Sequence, residues 1–210
     1  MNSLKFFPII IKIIISLVIG DSESTTYKFI DGYFFHQYDN RKTEKKYYKL
    51  NDWDLCRPSK EYFLELKRIS KNQIVWGGNY FADYLGSFRC FIVWDKTIHG
   101  NSYADCELAW TSFDSVARYY RKNIAQVNIE GRMHPTQKPI TLYEFVLKEF
   151  AKAGDKIIDT HVGSGSSIIA FEKHGFEYVG FEIDKDYYKS SLERILKHRE
   201  LLKQGKLELT

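Results

Sequence analysis

Two glycines stand between a predicted strand and a predicted helix, where they could bring backbone amides against a ligand. The apolar run KIIDT (156–160) is typical of a buried strand, and HVGSGSS follows it at once. Because glycine lacks a Cβ atom, Gly163 and Gly165 let a ligand approach the backbone closely. Glu182 ends the next predicted strand, where a nucleoside-binding fold places a carboxylate for the ribose hydroxyls.

The glycine pattern also narrows the class of ligand. Ser166, Ser167 and Ile168 follow Gly165, so the third glycine of the dinucleotide fingerprint is missing and a nicotinamide cofactor is disfavoured. Taken alone, the two glycines and the distant glutamate are equally typical of a tight turn and a surface carboxylate. A second motif is therefore needed to distinguish a ligand site from a tight turn.

That motif is HPTQKP (134–139). Its two prolines predict an extended approach to a following helix, and Thr136, Gln137 and Lys138 offer hydrogen-bond donors in a row. Alone, the hexapeptide is typical of the loop at the start of a helix.

Taken in order, HPTQKP, DTHVGSGS and GFEID resemble the S-adenosylmethionine-dependent DNA amino-methyltransferases, in the permuted class whose cofactor motifs follow the catalytic one. NDWD, RPSKEYF, VWGGNYF and ADCELAWTSF extend the resemblance over residues 52–194. The resemblance implies an α/β, Rossmann-like methyltransferase fold: a mostly parallel twisted sheet with helices on both faces and a circularly permuted motif order. It also implies S-adenosyl-L-methionine as the cofactor and double-stranded DNA as the partner.

The same resemblance assigns cofactor-binding residues. Asp159, Gly163 and Gly165 would form the methionine-and-ribose turn, which includes Ser164, and Glu182 would hold the ribose. Thr136 and Lys138 would touch the cofactor from the preceding segment. His161 stands where the family usually has an aromatic residue, which is a departure from the pattern.

The catalytic motif of this family is absent from the chain. The family methylates the exocyclic amine of a flipped-out base with an Asp (or Ser)-Pro-Pro-aromatic tetrapeptide at a strand end. The four prolines stand at 8, 58, 135 and 139, so no Pro-Pro pair exists. VIGD (18–21) resembles the stretch that follows the motif, which places the expected tetrapeptide near Ile14, Ile15, Ser16 and Leu17. None of these can hold an amine as an aspartate does; Asp31 is polar but lacks the proline scaffold.

Two interpretations of this gap stay open. The chain is a site-specific DNA methyltransferase whose catalytic strand was replaced through a frameshift or a mis-set start, which is the interpretation we favour. Alternatively, it is a non-catalytic remnant or partner subunit that keeps the scaffold to bind DNA or the cofactor. The resemblance favours adenine N6 over cytosine N4 as the target.

Charge and cysteine content limit the partners, disulfides and metal sites that the chain can be expected to have. With 31 basic and 27 acidic residues, the formal net charge of +4 permits a polyanionic partner without requiring one. Arg41 and Lys45, in a basic stretch that is also typical of a solvated loop, are candidate DNA contacts, as are Arg118, Arg121 and Lys122.

Three scattered cysteines, expected to be reduced core thiols, predict neither a disulfide framework nor a metal site. Asp105 and Glu107, on either side of Cys106, are expected to be surface or loop carboxylates.

These residues need elements to position them. Strands are predicted at 74–76, 90–94, 107–112, 156–160 and 178–183, and helices at 59–71, 139–152, 166–174 and from 186 onward, with 114–133 as a polar stretch. The strand–helix–strand order near the end predicts a parallel βαβ unit.

The predicted domain organisation has two parts. Residues 1–20 form an apolar segment, interpreted as a degraded catalytic strand with a signal peptide as the alternative, and residues 21–210 form a single methyltransferase domain. The apolar run Phe6 to Gly20 is too short to span a bilayer, so no stable membrane association is expected. The family implies a cytoplasmic or nucleoid-associated protein of a prokaryotic or viral setting.

Overall fold

The computed structural model describes residues 11–17, 58–98, 104–123, 125, 131–134 and 136–205. The elements of these ranges are, in chain order, β1 (Ile11–Leu17), α1 (Lys60–Ile69), β2 (Ser70–Trp76), a 3-10 turn (Gly78–Phe81), α2 (Ala82–Leu85), β3 (Phe91–Asp95), β4 (Cys106–Thr111), β5 (Arg118–Arg121), α3 (Ile140–Phe150), β6 (Lys156–Asp159), α4 (Ser166–Lys173), β7 (Glu177–Gly180) and α5 (Lys185–Lys203).

The strands of the described ranges form one mixed sheet in the order β5-β3-β4-β2-β1-β6-β7. Only β4 runs antiparallel to its neighbours β2 and β3; the other four pairs are parallel. The prediction of a mostly parallel sheet is therefore confirmed. The short connection between β3 and β4 contains no described helix, and antiparallel neighbours need no crossover helix.

Helices cover both faces of the sheet, as predicted. Successive side chains of β2 point to opposite faces, so Ile74 and Trp76 belong to one buried cluster and Val75 to another. The first cluster includes apolar side chains of α3 and α4, and the second includes apolar side chains of α1 and α2. A sheet covered on both faces explains why its strands are continuous apolar runs in the sequence.

The apolar start of the chain contributes a central strand. β1 lies parallel between β2 and β6, with Leu17 opposite Trp76 and Ile15 opposite Asp159. The carboxyl ends of these three strands thus meet at one edge of the sheet. The predicted domain boundary at residue 20 and NDWD lie outside the described residues.

One strand was missed in the polar stretch 114–133. Arg118–Arg121 pairs with β3 at the sheet edge, and the ring of Tyr120 packs 5.2 Å from that of Phe145. An edge strand buries only part of its residues, so RYYR carries no apolar run that would reveal it. The strand predicted at 178–183 ends at Gly180.

The structure also bears on the burial of the cysteines and on helices that could cross a membrane. Cys90 is buried, but Cys106 is exposed at the start of β4, so the prediction of core thiols is wrong for Cys106; Cys56 lies outside the described residues. Among the described residues, no helix combines the length and the apolar character needed to cross a bilayer.

Candidate functional site

The turn between β6 and α4 is held in a conformation that its glycines make possible. Gly163 and Gly165 have φ angles of +50° and +76°, in the left-handed region that other L-residues rarely adopt. A Cβ atom on Gly165 would lie 3.1 Å from the side chain of Ile195, whereas one on Gly163 would lie 3.6 Å from the His134 ring. The turn is thus packed by α5 on one side and covered by His134 on the other.

Asp159 supports this turn from the end of β6. Its buried carboxyl group accepts a 2.8 Å hydrogen bond from the His161 amide and a further one from the Ser167 hydroxyl. Burial raises the pKa of Asp159 to about 7, although these two hydrogen bonds act in the opposite direction. The carboxyl group therefore fixes the first turn of α4 relative to β6.

Glu182 reaches the same turn from the end of β7. Its Oε2 accepts a 2.7 Å hydrogen bond from the Gly163 amide, and its Oε1 accepts one of 2.9 Å from the Asp184 amide. Burial raises the pKa of this carboxyl group above its ordinary value. A carboxylate held against a glycine turn at the end of the adjacent strand is a suitable acceptor for paired hydroxyls.

Ser164 and His161 contribute to the turn's internal contacts. The Ser164 carbonyl accepts a 2.8 Å hydrogen bond from Arg194, which also donates to the Ser166 hydroxyl. His161 Nδ1 lies 2.8 Å from Thr160 Oγ1, which is 2.9 Å from the Tyr62 hydroxyl. Burial lowers the pKa of His161 well below its ordinary value, so its ring is neutral at neutral pH.

His134 covers the turn from the segment before α3. The ring is buried beside Gly163 and lies 4.3 Å from the ring of Tyr187. Its Nδ1 is 3.0 Å from the Thr136 hydroxyl and 3.3 Å from the Thr136 amide. Burial, together with Lys138 and Arg132, lowers the pKa of His134 to about 3. A neutral imidazole and the Thr136 hydroxyl therefore lie next to the turn.

Lys138 belongs to a group of buried charges that the sequence did not reveal. Glu107 Oε1 is 2.8 Å from Lys96 Nζ, and its Oε2 is 2.7 Å from Lys138 Nζ. The side chains of the two lysines are only 5% and 3% exposed. The Glu107 side chain is itself 27% exposed, so it reaches the surface as predicted, but it belongs to β4 and not to a loop. Its two lysine partners are 11 and 31 positions away in the sequence. We call Lys96, Glu107 and Lys138 the buried charge cluster.

The buried charge cluster lies beside Trp76, at the carboxyl end of β2. Lys138 Nζ is 5.3 Å from the centre of the Trp76 ring, and Lys96 Nζ is 5.7 Å from that of Trp94. Burial opposes ionisation of Glu107, but Lys138 and Lys96 outweigh it and lower the pKa of Glu107 to about 2. The carboxylate is therefore ionised at neutral pH.

The four positions expected to carry the catalytic tetrapeptide are the last four of β1. Ile14, Ile15, Ser16 and Leu17 pair with β2, and Ile14 and Ile15 also pair with β6. Their strand ends between Trp76 and the glycine turn. The topology thus brings this position to the edge of the sheet that holds Glu182 and the buried charge cluster.

The predicted DNA contacts among the described residues lie at the side of the sheet formed by β5. Arg118 Nε is 2.6 Å from Glu149, Arg121 Nε is 3.2 Å from Asp95, and Lys122 donates to the Thr141 hydroxyl. All three lie on or next to the edge strand β5, whereas Arg41 and Lys45 lie outside the described residues. The described residues contain no group of three or more acidic, cysteine or histidine side chains suited to a metal ion.

Comparison with known protein sequences matches this chain to DNA methylases. A family model described as DNA methylase matches residues 21–193. Type II methyltransferase M2.DpnII of Streptococcus pneumoniae is 37% identical over 62 residues, which are 30% of this chain and 23% of that protein. The matched segments span a third or less of the first curated relatives.

Solved structures extend the likeness to the fold. The M1.HpyAVI–SAM complex gives a TM-score of 0.53 at 17% identity, covering 89% of this chain and 90% of the other. PvuII DNA methyltransferase, which is cytosine-N4-specific, gives 0.53 at 13% identity, covering 96% and 88%. At these identities the likeness concerns the fold, and it agrees with the α/β architecture described above.

Proposed function

The chain belongs to the DNA methylase family, and from this premise we propose that it binds S-adenosyl-L-methionine at the turn between β6 and α4. The observation that carries the proposal is the 2.7 Å hydrogen bond between the Gly163 amide and the Glu182 carboxylate. It supports a site in which a glycine turn and an acceptor for ribose hydroxyls are already assembled.

The residues around the turn fit such a ligand. Gly163 leaves no Cβ atom between the turn and His134, and Glu182 offers carboxylate oxygens. Asp159 holds the turn through the His161 amide, and Arg194 holds it through the Ser164 carbonyl. By resemblance, His161 takes the position of the family's aromatic residue. Thr136 and Lys138 belong to the segment that covers the turn. When bound, the cofactor supplies a methyl group on a positively charged sulfur.

The proposed polymer partner is double-stranded DNA, with adenine N6 as the base position to which the scaffold is adapted. NDWD, VWGGNYF and HPTQKP support adenine by resemblance. Because an amine attacks a methyl group in line, the protein's part is to position the two groups and to exclude water. Arg118, Arg121 and Lys122 are the described candidates for phosphate contacts, alongside Arg41 and Lys45.

The proposed activity of this chain is binding of the cofactor without transfer of its methyl group. No Pro-Pro pair exists, and Ile14 to Leu17 include no acidic side chain that could accept the amine hydrogens. The absence of this motif supports a second candidate function, in which the chain is a non-catalytic remnant or a partner subunit on a methyltransferase scaffold. An Asp-Pro-Pro-aromatic codon string immediately upstream of, and out of frame with, codons 1 to 18 would support the remnant, and its absence would support the partner subunit.

Methyl transfer tests this proposal. The purified full chain is incubated with S-adenosylmethionine labelled in its methyl group and with unmethylated DNA. We expect no label in the DNA above that of a Gly163→Asp blank. Label well above the blank would mean that another group orients the amine and that the proposed loss of chemistry is wrong.

A further inference from the structure

The buried charge cluster is not explained by the fold alone. Removing the two lysine ammonium groups from water and half-burying the carboxylate between them is costly, and apolar side chains of similar volume often stabilise a protein as well or better. Here one carboxylate is shared by two ammonium groups, so the cluster carries a net positive charge. A cluster of this kind therefore calls for a role beyond packing.

The cluster connects strand β4 to the segment that covers the glycine turn. Lys138 is the last charged residue of that segment, and His134 at its other end lies against Gly163. The Gln137 amide donates a 3.1 Å hydrogen bond to the His134 carbonyl, and the Met133 amide donates one of 3.0 Å to Gln137 Oε1. Because the segment is this compact, a displacement of Lys138 would move His134.

We propose that Glu107 is a positioning residue for the cofactor site. By holding Lys138 it keeps the His134 ring over Gly163, and so sets the affinity for S-adenosylmethionine without touching it. This inference rests on the proposed function, because it needs the cofactor to bind at the turn.

Removal of the Glu107 charge would affect Lys138 in a way that loss of packing alone would not. Without the Glu107 carboxylate, Lys96 and Lys138 would be two buried ammonium groups with no shared anion. Their like charges would repel each other and would displace Lys138 from its place beside Trp76. The neighbouring groups are the Trp76 and Trp94 rings, the neutral His134 and the cationic Arg132.

The test compares three variants of the full chain by calorimetric titration with S-adenosylmethionine between pH 6.5 and 9. Glu107→Gln keeps the size of the side chain but removes its charge, and Glu107→Asp keeps the charge. Glu144→Gln is the matched control, because Glu144 pairs with Lys173 at 2.9 Å, at the opposite end of α4 from the glycine turn.

We expect Glu107→Gln to raise the Kd about tenfold at pH 7. Glu107→Asp, which keeps the carboxylate, should restore most of the wild-type affinity, and Glu144→Gln should give a ratio to the wild-type Kd near one. A Glu107→Gln ratio near one at every pH would overturn the inference while leaving the proposed function intact. If the wild-type chain itself does not bind, the proposed function fails instead.

A second variant keeps the test decisive if Glu107→Gln does not fold. Lys138→Gln removes the ammonium group that Glu107 holds, and we expect it to weaken binding by a factor that is constant with pH. Wild-type affinity in Lys138→Gln would overturn the inference.

Discussion

Glu182 accepts a 2.7 Å hydrogen bond from the amide of Gly163, nineteen residues earlier in the chain. Its second oxygen accepts from the Asp184 amide at 2.9 Å, so both oxygens are held by backbone groups. The bond joins the end of β7 to the turn after β6. The carboxylate therefore has its place at the turn without help from a ligand, which reduces the ordering cost of binding.

Replacing Glu182 by glutamine tests its role as an acceptor. The amide oxygen can still accept from Gly163, but the charge that strengthens hydrogen bonds to hydroxyl groups is lost. We expect the Kd for S-adenosylmethionine to rise about tenfold or more, since a hydrogen bond to a charged group contributes roughly 1.5–3 kcal/mol. Glu177→Gln at the start of β7, at a side chain that is 74% exposed and pairs with Lys156, should leave the Kd unchanged. Equal effects of the two substitutions would contradict the assignment.

Alanine at Gly163 separates backbone strain from loss of the ligand surface. Gly163 and Gly175 both have positive φ, +50° and +71°, and a Cβ atom would meet no close contact at either. Each alanine variant should therefore lose roughly 1–2 kcal/mol of stability in chemical denaturation. Only Gly163→Ala should also weaken cofactor binding in calorimetry. Unchanged binding in Gly163→Ala would mean that the ligand does not approach this part of the turn.

The parallel elements around this turn could be predicted from the sequence because their signals are local. β6, the glycine turn and α4 follow one another, and apolar runs mark the strands. The sequence does not predict β5, because an edge strand needs no apolar run. It does not predict the ion pairs of Glu107 either, because its partners Lys96 and Lys138 come from distant segments. Sequence patterns reveal neighbours along the chain, whereas a buried charge cluster depends on the topology of the sheet.

The buried imidazole of His134 predicts a dependence of stability on pH. Its pKa is about 3 in the folded protein, against an ordinary value near 6.5, so the unfolded chain binds a proton in this range that the native protein does not. Its contribution to stability should therefore fall as the pH is lowered from about 6.5 towards 3, by up to about 1.4 kcal/mol per pH unit. His134→Gln should remove this part of the slope in urea titrations at several pH values. The more exposed His174→Gln is the control, and a His134→Gln slope equal to the wild type would refute the prediction.

Asp159 predicts the opposite dependence. Its folded pKa of about 7 lies above the ordinary aspartate value of 3.8, so the native protein holds a proton that the unfolded chain has released. Stability from this group is full below about pH 4 and is lost as the pH rises towards 7. Asp159→Asn can keep the bonds to His161 and Ser167 and does not titrate. Its stability relative to the wild type should therefore increase between pH 4 and 8, and a constant difference would disagree with a buried, protonatable carboxyl group.

The salt dependence of DNA binding tests the candidate contacts on β5. Charge reversal of Arg118, Arg121 and Lys122 should weaken binding and flatten the plot of log affinity against log salt, by about 0.9 per lost phosphate contact. Arg68→Glu on α1 removes an exposed cation elsewhere and should have a smaller effect. An unchanged slope in the triple variant would remove these residues from the DNA interface.

Calorimetric titration of the purified full chain with S-adenosylmethionine tests the central claim most directly, with Gly163→Asp as the blank. We predict saturable binding to the wild-type chain at a ratio of one cofactor per chain and none to the variant, because an aspartate side chain would introduce bulk and negative charge at the turn. Absence of binding to a folded wild-type chain, or equal binding to both proteins, would contradict the assignment of the turn between β6 and α4 as the cofactor site.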